Sequence, residues 1–178
     1  MPAGGDKILI TDLSAVTSGS IAKPLCRLLQ TSAQSIANNT NTAITFTSET
    51  IDTDNFFNSG TSTTRITPTK AGYYRVSGSL VMAGVLTYNV VAVFVRKNGS
   101  TLLGPGGRMG GLGFQGSPAS GPSAQYAAVN CQLLIDCNGT TDYLELIAFQ
   151  TNTASAVQNT NVSGQFACAF EVEFVRGL

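Results

Sequence analysis

Apolar and polar residues alternate along much of this chain with a period of two, which is typical of a half-buried β-strand. In "YRVSGSLVM" the alternation predicts an apolar face made of Tyr74, Val76, Leu80 and Met82, with Gly78 between them. The other face is polar except for one aromatic ring, and consists of Tyr73, Arg75, Ser77 and Ser79. This segment is therefore predicted to be a strand with one face in the protein interior.

The closing segment "FACAFEVEFV" alternates more regularly, with Glu171 and Glu173 on its polar face. Its predicted apolar face consists of Phe166, Cys168, Phe170, Val172 and Phe174. Five more runs are predicted strands: "LCRLLQ" (25–30), "TAITFTSE" (42–49), "VVAVFVRK" (90–97), "VNCQLLID" (129–136) and "YLELIAFQ" (143–150). No segment has the 3.6-residue period of an amphipathic helix.

Glycine- and asparagine-rich turns separate the predicted strands. Asn98-Gly99 and Asn138-Gly139 are the residue pairs that type I′ hairpin turns favour, because both turn positions need a positive φ. Short strands joined by such turns predict an all-β antiparallel fold: a sandwich, a jelly roll or a barrel.

Two segments interrupt the alternation. The first marks the predicted domain boundary, and the second is a loop within the domain. Residues 1–23 are small and polar around Lys7, Ile8, Leu9 and Ile10, and are predicted to be an extended arm that attaches the 24–178 domain to a partner. Residues 104–122 are rich in Gly, Pro and Ser and predict a long loop, a feature that is often functional. The exposed contact residues predicted in this loop are Arg108, Met109 and Phe114.

Charge is scarce and balanced. Only 11% of the residues are charged, and ten basic residues offset ten acidic ones. Without a cluster of Lys and Arg we expect no nucleic-acid partner. No apolar run approaches the ~20 residues of a membrane helix, so we expect no membrane span. Low charge suits a subunit that buries much of its surface in an assembly.

The cysteines favour burial over chemistry. There is no histidine, and the four cysteines contain no metal-type pair, so no zinc site is predicted. Cys131 and Cys137 lie in or near one predicted strand, too far apart for a disulfide. Cys26 and Cys168 become neighbours if the first and last strands pair, which leaves one cross-strand bridge open. The interpretation we favour is four small buried apolar side chains.

Motifs that carry chemistry are weak. "GLGFQG" (111–116) matches a dinucleotide pattern, but prolines follow it where that site needs a helix. "DTDNF" offers Asp52 and Asp54 as calcium ligands, yet lacks the remaining loop ligands, and is interpreted as a solvated turn. Without histidine the Ser-His and Cys-His nucleophile pairs are impossible. Paired carboxylates stay formally open, drawn from Glu49, Asp52, Asp54, Glu145, Glu171 and Glu173. We expect no enzyme activity and no cofactor.

Two adjacent tyrosines suggest a subunit contact. Because Tyr73 and Tyr74 must point to opposite faces, one of them leaves the interior. An outward tyrosine suits an interface, since its ring is apolar and its tip is polar. Tyr73, Tyr74 and Tyr88 are the predicted subunit-interface residues, and the pattern leaves the choice among them open.

The order of strands and turns resembles the complement component 1q and tumour necrosis factor-like jelly-roll family. The resemblance rests on "PTKAGYY", "VFVRKNGS", "LLIDCNGTTDYLELIAF" and "SGQFACAFEVEFV", and it covers roughly residues 25–178. It implies an all-β, antiparallel jelly-roll β-sandwich with an extended N-terminal arm. It also implies a homotrimer.

Within that family, "CRLLQTSAQSIANNTNTAITF" and "DTDNFFN" are similar to virion proteins of tailed bacteriophages. We therefore expect a capsid decoration (cement) protein, made in the host cytoplasm, that binds the outer capsid surface and stabilises contacts between major capsid proteins. The alternative is the tip of a tail or head fibre that recognises a host surface receptor. A soluble recognition module outside the virion is a third interpretation.

Overall fold

The computed structural model describes residues 23–83, 88–103, 127–163 and 167–178. These residues form strands and turns and contain no helix, as the sequence pattern predicts. Accordingly, nothing in these ranges is a helix long and apolar enough to cross a membrane. The strands of the described ranges are β1 (Leu25–Leu29), β2 (Ser35–Ile36), β3 (Thr42–Ala43), β4 (Ser48–Asp52), β5 (Arg65–Ile66), β6 (Ala71–Met82), β7 (Tyr88–Lys97), β8 (Thr101–Leu103), β9 (Ala127–Asn138), β10 (Leu144–Asn152), β11 (Gln158–Asn159) and β12 (Ala169–Arg176).

The strands build two five-stranded sheets, and β2 and β11 pair in a separate two-stranded sheet. Sheet A has the order β4-β1-β12-β6-β9. Sheet B has the order β3-β10-β7-β8, and β5 also pairs with β10. All pairs of named strands are antiparallel, and the first strand of the described domain pairs with the last. The non-sequential strand order and the antiparallel pairing give a jelly-roll β-sandwich.

The faces predicted for β6 and β12 are confirmed. Residues of β6 alternate between buried and accessible as far as Leu80, and Tyr74, Val76 and Leu80 are fully buried. In β12, Phe170 and Val172 are fully buried and Phe174 is 7% exposed. Phe170 stacks on Phe46 with the ring centroids 6.1 Å apart. The interior between the sheets is therefore built from the apolar half of each alternating pattern; the predicted Phe166 lies outside the described residues.

Gly78 allows the sheets to approach each other at the centre of β6. A Cβ atom at this position would overlap the Leu146 side chain, which reaches across from β10 of sheet B. Any larger residue at position 78 would have to displace the fully buried Leu146. The glycine therefore serves close packing, since a strand gains nothing else from it.

The predicted strand 42–49 is interrupted. β3 ends at Ala43 in sheet B, and β4 begins at Ser48 in sheet A. Between them, Ile44 and Phe46 are fully buried, and their N–H groups donate to Leu146 and Thr63. The apolar pattern is correct, but the chain crosses from one sheet to the other here.

One of the two predicted type I′ turns is confirmed. Asn98 and Gly99 both have a positive φ, of 55° and 72°. At the second pair only Gly139 has one, 75°, while Asn138 remains in β9. The Asn138 side chain explains the difference, because its Oδ1 accepts hydrogen bonds from the N–H groups of Thr140, Thr141 and Asp142. This side-chain cap produces a longer loop and replaces the predicted tight turn.

All four cysteines are buried and free. β1 and β12 do pair, but their register places Cys26 opposite Val172. Cys168 lies level with Gln30, whose N–H donates to its carbonyl. Because this register keeps Cys26 and Cys168 at different levels of the paired strands, no disulfide joins them. The interpretation of four small buried side chains is confirmed.

Candidate assembly surfaces

Several predicted contact residues lie outside the described part of the chain. They are the arm residues Lys7, Ile8, Leu9 and Ile10 and the loop residues Arg108, Met109 and Phe114. The surfaces considered below belong to the two sheets.

Two of the three predicted interface tyrosines are interior residues of a single chain. Tyr74 is fully buried, packs edge-on against Phe174, and donates its hydroxyl to the Lys70 carbonyl at 2.6 Å. Tyr88 is 6% exposed and donates to the Ala83 carbonyl at 2.6 Å. Burial raises the pKa of each phenol to about 12. The prediction is therefore corrected for Tyr74 and Tyr88: their rings already pack within the sandwich, and no surface remains for a partner.

Tyr73 is the tyrosine of the three that faces outward. It is half-buried, and Arg176 lies over its ring with 5.3 Å between the guanidinium carbon and the ring centroid. In the β6–β9 register it stands opposite Asp136. Tyr73 thus belongs to the outer face of sheet A, where a partner could reach it.

Two ion pairs cross the outer face of sheet A. Arg27 lies 3.7 Å from Glu171, and Arg75 lies 3.1 Å from Glu173. In each pair both side chains are at least 31% exposed. Exposed pairs of this kind contribute little to stability. These charges are therefore available to orient a partner.

A shallow depression of about 430 Å³ lies at the centre of this face. Small outward side chains create it, because Ser77 and Ser79 of β6 line it, with the Gly78 backbone between them and Ala169 of β12 beside them. Its polar rim is formed by Arg27, Asn130, Gln132 and Glu171. The depression is open to one side, so it suits a protruding side chain better than an enclosed ligand.

Large apolar side chains are exposed on the same face. Leu134 of β9 is 63% exposed and stands opposite Arg75. Ile51 of β4 is 38% exposed and stands opposite Arg27. A depression flanked by exposed apolar residues is the arrangement expected of a protein contact. The alternation pattern predicted the polar residues of this face, but Leu134 has no distinguishing signal in "VNCQLLID".

The outer face of sheet B carries a different arrangement. Arg65, Glu145 and Arg96 stand side by side on β5, β10 and β7. The Glu145 carboxylate accepts a hydrogen bond from Arg96 Nε at 2.8 Å, lies 3.7 Å from Arg65 Nε, and accepts from the Thr64 hydroxyl at 3.2 Å. Only 4% of the Glu145 side chain is exposed. Glu145, formally one of the paired-carboxylate candidates, is thus an ion-pair anchor between two arginines.

The carboxylates of "DTDNF" stabilise the local turn. Both Asp52 oxygens accept backbone hydrogen bonds, from the N–H groups of Phe56 and Phe57, each at 2.9 Å. The Asp54 carboxylate accepts from the Thr53 hydroxyl at 2.6 Å. Within the described ranges, no three acidic, cysteine or histidine side chains form a group that could hold a metal ion.

Neither a model of a protein family nor a curated protein matches this chain by sequence. Its structure, however, is similar to solved structures of tumour necrosis factor type. The Eiger tumour necrosis factor of S. frugiperda matches with a TM-score of 0.54 at 8% identity, over 88% of this chain and 94% of that one. Murine APRIL at pH 5.0 matches with a TM-score of 0.55 at 10% identity, over 85% of this chain and 99% of that one.

These similarities concern the fold alone, because identities of 8% and 10% are too low to transfer a function. They confirm the predicted all-β jelly roll and the tumour necrosis factor-like side of the resemblance. The virion side of the resemblance stays a prediction.

Proposed function

We propose that this chain is a structural virion protein of a tailed bacteriophage, a homotrimeric capsid decoration protein that acts by adhesion. In this proposal a trimer binds the outer capsid surface and stabilises contacts between neighbouring major capsid proteins. The protein performs no catalysis and needs no cofactor.

The observation that carries the proposal is the outer face of sheet A. Leu134 and Ile51 expose apolar surface there around a central depression, on a chain that otherwise has few charges. Burial of such side chains contributes about 25 cal/mol per Å² of apolar area. A second copy of this chain can cover the face, and the partly exposed ion pairs of Arg27 and Arg75 can set its orientation.

The self-association part of the proposal can be tested with one exchange. Leu134→Arg places a charge in the proposed subunit contact and should shift the purified protein from trimer to monomer in sedimentation velocity at micromolar concentration. Val157→Arg is the matched control, because Val157 is 55% exposed. Val157 directly precedes β11, which belongs to neither large sheet. A monomeric wild type, or a trimeric Leu134→Arg variant, would contradict this use of the face.

The virion part of the proposal has its own test. Electron cryo-microscopy of the phage particle that encodes this chain should show trimeric knobs on the outside of the capsid. Particles that lack the gene should lose the knobs and release their DNA at a lower temperature. Density at the end of a tail or head fibre instead would favour the receptor-binding alternative.

A further inference from the structure

The row of Arg65, Glu145 and Arg96 on sheet B carries one more positive than negative charge. In the described part of the chain, no carboxylate other than Glu145 lies within 4.0 Å of either guanidinium group. Arg96 donates its Nε–H to Glu145, and Arg65 lies 3.7 Å from the same carboxylate. Among the described residues, none accepts a hydrogen bond from the terminal amino groups of either arginine. A surplus positive charge with donors that the described residues do not use is a favourable place for an anion.

The two arginines are held in fixed positions. Glu145 lies almost wholly below the surface, and both guanidinium groups converge on its carboxylate. The Arg65 guanidinium also stacks on the Tyr143 ring, with its central carbon 4.0 Å from the ring centroid. Stacking and pairing reduce the entropy that an arginine loses when it binds. The pair is therefore preorganised for an incoming ligand.

The neighbouring row of the same face is apolar. Ile147 stands opposite Phe94 in the β10–β7 register. This pair is the next one on the same face after Glu145 and Arg96. Both side chains are buried, with Ile147 at 0% and Phe94 at 6% exposed. Low polarity beside the arginines strengthens their attraction for an anion.

We infer that Arg65 and Arg96 form a binding site for a single carboxylate, supplied by an acidic side chain of a protein partner. One surplus charge matches one carboxylate, and a guanidinium group binds a carboxylate through two parallel hydrogen bonds. The arginines stand on the outer face of sheet B, with 44% of the Arg65 side chain and 25% of the Arg96 side chain exposed. A carboxylate carried on another protein surface can therefore reach both guanidinium groups. The site does not depend on the trimer or on a virion.

The test uses the full-length protein and two peptides, one of alternating Glu and Gly and one with Gln in place of Glu. Arginine Nε–H signals are followed by NMR at low salt, because screening weakens such contacts. The Glu peptide should shift the Arg65 and Arg96 signals in a saturable way, and the Gln peptide should not. Equal shifts at Arg176, the exposed arginine at the end of β12, would overturn the site by showing nonspecific attraction.

Two substitutions at Arg65 distinguish the effect of its charge from the effect of its planar guanidinium geometry. Arg65→Gln should weaken binding of the Glu peptide about tenfold, the loss expected for one charge-assisted pair. Arg65→Lys keeps the charge but not the planar fork, and should recover only part of the affinity. Arg176→Gln, a change at an exposed arginine of β12, is the matched control and should leave binding unchanged.

Two more outcomes would overturn the inference. Binding of N-acetylneuraminic acid or inorganic phosphate at Arg65 without binding of the Glu peptide would exclude a protein side chain as the ligand. An Arg65→Gln variant that binds the Glu peptide as the wild type does would exclude the site. Sedimentation of the same variants should be unchanged, so failure here is distinguishable from failure of the proposed trimer.

Discussion

The outer faces of sheets A and B use charged residues in opposite ways. On sheet A each arginine pairs with one glutamate and all four side chains are well exposed. On sheet B one buried glutamate, Glu145, serves two arginines. The first arrangement is neutral and contributes little to stability, while the second depends on a desolvated charge and leaves a surplus. Strand alternation places residues outward on both sheets, but burial decides whether they stabilise the fold or remain available to a partner.

The largest expected effect tests the interior that both faces share. Phe170→Ala should lower the free energy of unfolding by about 3–5 kcal/mol, because the ring is fully buried against Phe46 and its removal leaves a cavity. Chemical denaturation measures the change. Phe149→Ala is the control: its ring is only partly buried, against the apolar cluster that Ala92, Phe94 and Ile147 form on the outer face of sheet B, so the loss should be less than half as large. Equal losses would mean that the outer cluster is as important as the interior.

The next effect tests the contrast between the ion pairs directly. Glu145→Ala leaves Arg65 and Arg96 without their shared partner and should cost about 3 kcal/mol of unfolding free energy. Glu173→Ala on sheet A should cost less than about 1 kcal/mol, since its pair with Arg75 is exposed. Urea denaturation of both variants decides the point. Similar values for the two would remove the distinction between the faces.

Local pattern was enough to predict the fold class, because a period of two depends only on neighbouring residues. It grouped Tyr74 with the apolar residues of β6 and Tyr73 with the polar ones, but it left open which of the two rings leaves the interior. β1 and β12 do pair, which was the condition for a Cys26–Cys168 bridge, but their register keeps the two cysteines apart.

Register was also the information that the sequence lacked for the charged site. Arg65, Arg96 and Glu145 belong to three strands, and they are separated by 31 and 49 positions in the sequence. No local pattern predicts that they stand in one row. The sequence pattern also did not show that a side chain can replace a tight turn by accepting hydrogen bonds from the backbone of the loop. Asn138 keeps its strand conformation because its own amide oxygen accepts the N–H groups of the loop.

A smaller effect concerns the place where the two sheets are tied together. Asp142 accepts hydrogen bonds from Asn98 Nδ2 and the Asn138 N–H, each at 2.8 Å, and pairs with Lys97 of sheet B at 3.1 Å. Burial alone would raise the pKa of the Asp142 carboxyl, but the hydrogen bonds from Asn98, Asn138 and Lys97 outweigh it, so the pKa is lowered from the usual 3.8.

A lowered pKa in the folded state means that Asp142 stabilises the protein above its unfolded pKa, and that this stability is lost as the pH falls through the folded value. Asp142→Asn should therefore cost about 1–2 kcal/mol at pH 7 and should flatten the decline of stability below about pH 4. Urea denaturation between pH 2 and 7 measures both. An unchanged acid slope in the variant would show that another carboxylate controls it.

The smallest expected effect is the labelling of the buried cysteines by a thiol reagent, which should be very slow. The labelling rate measures whether sheet A opens in the native protein. All four cysteines lie in sheet A or directly before its last strand: Cys26 in β1, Cys131 and Cys137 in β9, and Cys168 ahead of β12. Burial raises the pKa of every thiol, to about 11 for Cys131 and Cys168, so the reactive thiolate is scarce at pH 8. A maleimide should label the native protein far more slowly than the urea-unfolded chain, whereas an added exposed thiol, Ser100→Cys, should react at once. Rapid labelling of the native wild type would mean that sheet A opens in the native protein, and the outer face of sheet A could then no longer be treated as a rigid contact surface.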